Sequence, residues 1–172
     1  MSGEEKTRQS KPREKTPAQA FLSLSATCSK MERCRSDARR LLYRWNISPS
    51  YQEKIIEKLV AGRFIDEQRY ADAYVREKTA AGRWGPAKII AGLRAKQIPE
   101  DIIRNAVESH GDQNATLGKL EKELRRRMQK ESEKADSGYQ LRVKLFRFAA
   151  SRGFGFDRIN DILDRLMKDE DF

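Results

Sequence analysis

The stretch Ile89-Ile90-Ala91-Gly92-Leu93-Arg94-Ala95-Lys96-Gln97-Ile98-Pro99-Glu100-Asp101-Ile102-Ile103-Arg104-Asn105-Ala106-Val107 lies over two other parts of the same chain without a gap. With Ile98 as anchor, Ile47 and Phe154 take the same place, 51 residues upstream and 56 residues downstream. Nine positions before the anchor stand Ala38, Ile89 and Leu145; five before it stand Leu42, Leu93 and Ala149. Eight positions after it stand Ile55, Ala106 and Ile162; nine after it, Ile56, Val107 and Leu163. Every column is apolar in all three copies. Chance gives one such column but hardly four, and periods of this length are the mark of repeat architectures.

Working outward, proline and glycine divide the chain into helices. Pro17, Pro49, Pro86 and Pro99 each stand where a helix should begin, because proline fits the first turn and no interior position. Gly62, Gly82 and Gly111 each follow an apolar-periodic stretch, as expected just past a helix end. Ser48 and Asp66 are placed to cap the helices that follow them. The pattern predicts helices near 17–27, 35–46, 49–61, 66–81, 86–97, 99–110, 114–133, 139–152 and 156–168. The expected fold is all-α: three tandem three-helix repeats, elongated and curved, over residues 17–65, 66–112 and 113–172. Residues 1–16, polar and charged, are expected to form a disordered basic tail.

Composition agrees with thin helical layers. Of 172 residues, 38% are hydrophobic and 36% charged, a balance that gives much surface per residue. No run of about 18 apolar residues exists and the N-terminus has no apolar core, which points to the cytoplasm and away from a membrane. Cys28 and Cys34 are the only cysteines. With no second pair and no nearby histidine to complete a zinc site, they read as two reduced thiols. Net charge is +10, unevenly spread: residues 17–65 carry nine basic and four acidic groups, residues 66–112 eight of each, and residues 113–172 fourteen and eleven. A basic chain with a neutral middle suits a long polyanionic partner gripped in more than one place.

The stretch Phe64-Ile65-Asp66-Glu67-Gln68-Arg69-Tyr70-Ala71-Asp72-Ala73-Tyr74-Val75-Arg76, followed by Gly85-Pro86-Ala87-Lys88-Ile89, resembles the central motif of the RecX family. Lys144-Leu145-Phe146-Arg147-Phe148 and Arg152-Gly153-Phe154 are similar to its third-repeat motif. The resemblance spans residues 17–168. It implies three tandem three-helix repeats and a monomeric regulator that binds filaments of the recombinase RecA on single- or double-stranded DNA and inhibits or modulates recombination and repair. The first repeat departs from the family pattern. Arg33-Cys34-Arg35-Ser36-Asp37-Ala38 stands where Arg-x-x-Ser-x-x-Glu-Leu is common, so Ser36 is left the polar capping role. Trp45-Asn46 stands where a Lys-Gly pair is usual.

The same residues have a purely physical reading. Tyr70 and Tyr74, four apart, pack on one helix face, and Gly92 in mid-helix implies close helix–helix approach. Arg69 and Arg76 share a face; they either bridge to neighbouring acids or project toward a partner. The N–H groups at Gly85-Pro86, beside Lys88, either only start a helix or also hold an anion. Two basic faces stand out: Arg33, Arg39, Arg40 and Arg44 in the first repeat, and Lys119, Lys122, Arg126 and Lys130 in the third, with Arg125 and Arg127 beside them. Such faces are solvated, neutralise phosphates, or meet acidic protein patches. The lone histidine, His110, stands at a helix end. With no Ser-His-Asp set, phosphate loop or paired carboxylates at catalytic spacing, the chain reads as a non-enzyme without cofactor or metal. The competing reading is a general DNA-binding protein built from helix-turn-helix-like units. A groove reader would concentrate Arg, Asn and Gln on its third helices, and 49–61, 99–110 and 156–168 are mixed in charge instead.

Overall fold

The structure, a computed structural model, describes residues 14–132 and 137–168. Among them run nine α-helices: α1 (Pro17–Cys28), α2 (Arg35–Arg44), α3 (Pro49–Ala61), α4 (Glu67–Ala81), α5 (Pro86–Ala95), α6 (Glu100–His110), α7 (Gln113–Ser132), α8 (Gly138–Ser151) and α9 (Phe156–Lys168). The fold is all-α, as the repeat pattern requires. The chain divides into two compact units, one ending at Glu67 and the other beginning at Gln68. Of the expected tail, residues 1–13 lie outside the described residues. Glu14 accepts a hydrogen bond from the Asn46 side chain (3.1 Å), Lys15 lies over the Trp45 ring, and Thr16 caps α1.

The apolar columns form the cores. All fifteen positions named in the alignment are buried except Val107, which is half-buried. In the first unit Ala38, Leu42, Ile47, Ile55 and Ile56 join Ala20, Leu24, Leu59 and Ile65. In the second unit Leu145, Ala149, Phe154, Ile162 and Leu163 join Leu120, Leu124 and Met128 of α7. One repeat position is polar. Gln52 stands where the other copies have Ile103 and Ile159; it is buried, and its Nε2 donates to the carbonyl of the anchor Ile47 (2.7 Å).

The anchor column has a backbone cause. Asn46, Gln97 and Gly153, each one residue before an anchor, have positive φ (57°, 60° and 81°). The anchor N–H then donates back across the helix end: Ile47 to Leu42 (3.1 Å), Ile98 to Leu93 (3.2 Å) and Phe154 to Ala149 (3.4 Å). The residue before it donates to Tyr43, Arg94 or Ala150 (3.0, 2.8 and 2.9 Å). This is a Schellman turn, which satisfies two orphan carbonyls and presses the residue past the cap onto the one five earlier. The two alignment columns five apart are therefore the two sides of one helix-ending contact. Asn46 takes the left-handed position usually left to glycine, which asparagine tolerates better than most residues.

Two capping expectations need correction. The N-cap of α2 is Cys34, not Ser36, and it makes no side-chain cap. The Glu67 carboxylate takes that role, accepting the Arg35 N–H at 2.9 Å, so a residue of the central motif closes the helix of another segment. Burial pushes the Glu67 carboxyl above the usual carboxylate range, against the opposing pull of Arg35. Ser48 precedes α3 without capping it; its Oγ lies 3.4 Å from that of Ser50.

Candidate functional site

Repeats two and three of the second unit meet at the start of α5. The Gly85 N–H donates to the Arg152 carbonyl (2.7 Å) and the Ala87 N–H to that of Gly153 (3.2 Å). The open N-terminus of α5 is thus closed by the carbonyls that end α8. Backbones pass so closely that a Cβ on Gly85 would run into the Gly153 carbonyl, and one on Gly153 into the Lys88 backbone. These N–H groups are occupied, so of the two readings of Gly85-Pro86 the structural one holds and the anion-binding one does not.

This junction opens a basic cleft of about 390 Å³ between the α4–α5 loop, α7 and the end of α8. Arg83, Lys119, Arg126 and Arg152 surround it, with Glu123 the one acid on its wall. Two of the cations are held by neutral acceptors. Lys119 Nζ donates to the Ala80 carbonyl (2.6 Å) and Arg152 Nη1 to that of Arg83 (3.2 Å). Their positions are fixed while their charges stay uncancelled. Arg126 forks onto Glu123 (3.0 and 2.9 Å) and Arg127 reaches the same carboxylate (3.0 Å). The Arg126 hydrogen bonds, with help from Arg127, hold the Glu123 carboxyl below its usual range. The Arg83 side chain makes no hydrogen bond or ion pair among the described residues. The cleft's apolar lining is Leu120, Phe148 and Phe154, and Phe148 sits between the Arg127 and Arg152 guanidinium groups at 3.8 and 4.5 Å.

Beside this cleft lies an aromatic run from the central motif. Tyr74 packs against Tyr70 (6.1 Å between centroids) and Trp84 (6.4 Å), and Lys78 and Lys88 both lie 5.2 Å from Trp84. A Cβ on Gly92 would collide with the Tyr74 hydroxyl, so the mid-helix glycine makes room for that ring. Tyr70 is buried and Tyr74 half-buried, as the packing reading of the motif expects.

The residues singled out from sequence separate into several environments. Lys119 and Arg126 line the cleft. Lys122 and Lys130 are exposed and without an ion pair among the described residues. Lys88 is engaged within the fold, its Nζ 3.2 Å from the Ser151 carbonyl. Arg39 pairs with Glu53 (2.9 Å) and Arg40 with Asp37 (3.1 Å). Arg33 precedes α2 instead of sharing its face, and its Nη2 lies 3.1 Å from Met31 Sδ. Arg44 and Arg76 are exposed with no ion pair among the described residues, and Arg69 is half-buried. Next to Arg40 and Arg44 stands Tyr43, 78% exposed, an aromatic the charge pattern did not single out. Arg83, Phe148 and Arg152 were likewise not read as site residues. The signal present was that Arg152 and Lys96 occupy the same repeat position. His110 lies 3.6 Å from Asp72 at the end of α6.

Comparison with known proteins identifies relatives. Residues 66–107 match the second three-helix domain of RecX, and residues 117–163 match the third. A "Regulatory protein RecX" from Clostridium perfringens strain SM101 is 33% identical over 121 residues, 69% of this chain and 54% of that protein. One from Streptococcus equi subsp. zooepidemicus is 26% identical over 140 residues, 81% of this chain and 52% of its own. The chain spans about half the length of these curated relatives. The crystal structure of RecX from Lactobacillus salivarius superposes with a TM-score of 0.70 at 24% identity, covering 87% of this chain and 96% of that one. A second structure, of a regulatory protein RecX, gives 0.73 at 24% identity, covering 86% and 71%. At that identity the two structures bear on the fold alone.

Proposed function

The chain belongs to the RecX family, and from that premise we propose that it binds RecA filaments on DNA and restrains their activity. The observation that carries this reading is the match of residues 66–107 and 117–163 to successive RecX domains. Physical features support it. Uncancelled positive charge lies at Arg83, Lys119 and Arg152 of the second unit, and at Arg44 of the first. Two charged regions on separate units suit a long polyanionic assembly better than a small ligand. No described helix is long and apolar enough to cross a membrane. The protein works as a cytoplasmic monomer that regulates by binding, without catalysis or cofactor.

The test is co-sedimentation with RecA–DNA filaments, compared with DNA alone. The expected result is pelleting with filaments above the level seen with bare DNA, together with a fall in RecA nucleotide hydrolysis. Equal binding to bare DNA and no effect on hydrolysis would replace this reading with the general DNA-binding one. Reversing Arg40 and Arg44 to glutamate should weaken filament binding, most at low salt, where screening lengths exceed about 10 Å.

A further inference from the structure

We propose that the cleft between the α4–α5 loop, α7 and the end of α8 seats one nucleotide of a single DNA strand, phosphate toward Arg83 and Lys119 and base against the Arg152 guanidinium that lies over Phe148. This assignment rests on the reading above that nucleic acid is part of the target, and it gives that contact a location.

The charge balance points to an anion. Four cations surround the cleft and one carboxylate opposes them. Glu123 is already satisfied by Arg126 and Arg127, so it has little capacity left to neutralise the others. Lys119 and Arg152 spend a hydrogen bond on carbonyl oxygens, which orients them without removing charge. Arg83 has no side-chain partner among the described residues. Cations positioned before binding lose less side-chain entropy when a phosphate arrives.

The shape points to a nucleotide instead of a bare anion. Inorganic phosphate needs no apolar surface, yet Leu120, Phe148 and Phe154 line this cleft. Phe148 carries two guanidinium groups, at 3.8 and 4.5 Å, and holds the Arg152 guanidinium as a plane on which a flat π-system can stack. A basic groove with aromatic and guanidinium planes is how single strands are held without sequence preference. A cleft of about 390 Å³ admits one nucleotide-sized group, whereas a duplex would touch only its rim.

The experiment measures anisotropy of a labelled oligodeoxythymidine of roughly 15 nucleotides, within the span of known single-strand sites. Arg83→Gln with Lys119→Gln removes two cleft charges; Lys54→Gln with Lys58→Gln removes two from the exposed face of α3 and is the charge-matched control. The Arg83 side chain makes no hydrogen bond or ion pair among the described residues, and circular dichroism checks the fold of each variant. The cleft pair should weaken strand binding about tenfold and reduce the slope of log affinity against log salt by about 0.7 per lost contact. Phe148→Leu, which keeps every charge, should weaken binding to the thymidine strand but not to an abasic strand of the same length. Equal losses in the cleft and α3 pairs would overturn the proposal, since net charge would then suffice. So would competition by inorganic phosphate or thymidine monophosphate as strong, per phosphate, as that by unlabelled strand. Filament co-sedimentation reports separately: its failure in the parent protein sinks the regulatory reading and leaves the strand measurements to decide the cleft.

Discussion

Replacing Gly153 with alanine tests the junction from which the cleft is built. Gly153 sits at φ 81°, where an L side chain costs about 1–2 kcal/mol. The added methyl would also meet the Lys88 backbone nitrogen and Cα, which are not the movable end of a side chain. Relief requires α5 to draw back from α8, loosening the bonds from Gly85 to the Arg152 carbonyl and from Ala87 to the Gly153 carbonyl. Two such hydrogen bonds contribute about 1 kcal/mol each, so the expected destabilisation is about 3–4 kcal/mol. Trp84 lies next to this contact and Trp45 belongs to the first unit. Urea unfolding followed by Trp84 fluorescence in a Trp45→Phe background therefore reads the second unit alone. Gly155→Ala is the control: nothing lies within 4 Å of a Cβ there, and its change should stay within about 0.5 kcal/mol. A loss below about 1 kcal/mol at Gly153 would mean that the close approach does not hold in solution.

Leu93→Ala should cost about 2–5 kcal/mol, as truncation of a fully buried leucine does; a loss of a few tenths on calorimetry would show that this helix face is misplaced. Gln97→Gly should raise stability by about 0.5–1 kcal/mol, since the left-handed cost that glutamine bears exceeds glycine's extra unfolded-state entropy; a fall in the melting midpoint would count against that geometry. Burial raises the Glu67 carboxyl in the folded state, so the folded chain holds that proton to higher pH than the unfolded chain. Stability contributed by the protonated form is then lost as pH rises from the usual carboxylate value of 4.5 through the raised one. Glu67→Gln should accordingly gain relative to the parent across that window, and parallel pH profiles would refute the assignment.

The helices and their order were legible because the evidence for them is local. Apolar columns at fixed offsets from Ile47, Ile98 and Phe154 report buried faces, and prolines at 17, 49 and 86 fix first turns. The cleft was legible only in part. Lys119 and Arg126 stand out on α7 as a charged stripe, but Arg83 and Arg152 are 69 residues apart and meet only because α5 docks on the end of α8. The same docking explains the anion reading of Gly85-Pro86: sequence shows open N–H groups and cannot show the carbonyls that fill them. Ser36 failed as a cap for a related reason, since its role passed to Glu67, a carboxylate 32 residues from Arg35.

The Schellman turns at the three anchors have a consequence for how such a chain can change length. Each turn locks the second helix of a repeat to the third through bonds that span six residues. The first helices lie outside these anchor turns, although α4 is entered through a further turn of the same kind at Arg63 (φ 57°), and they run to 12, 15 and 20 residues in α1, α4 and α7. The turns act as fixed joints and the first helices as adjustable struts. Anchor spacings of 51 and 56 residues then coexist in one chain without disturbing any joint. Whole helical turns can be added to or removed from a strut, carrying its side chains outward or inward by about 5.4 Å at a time. On α7 those side chains include Lys119 and Arg126, so the reach of the basic surface and the stability of the joints can vary independently.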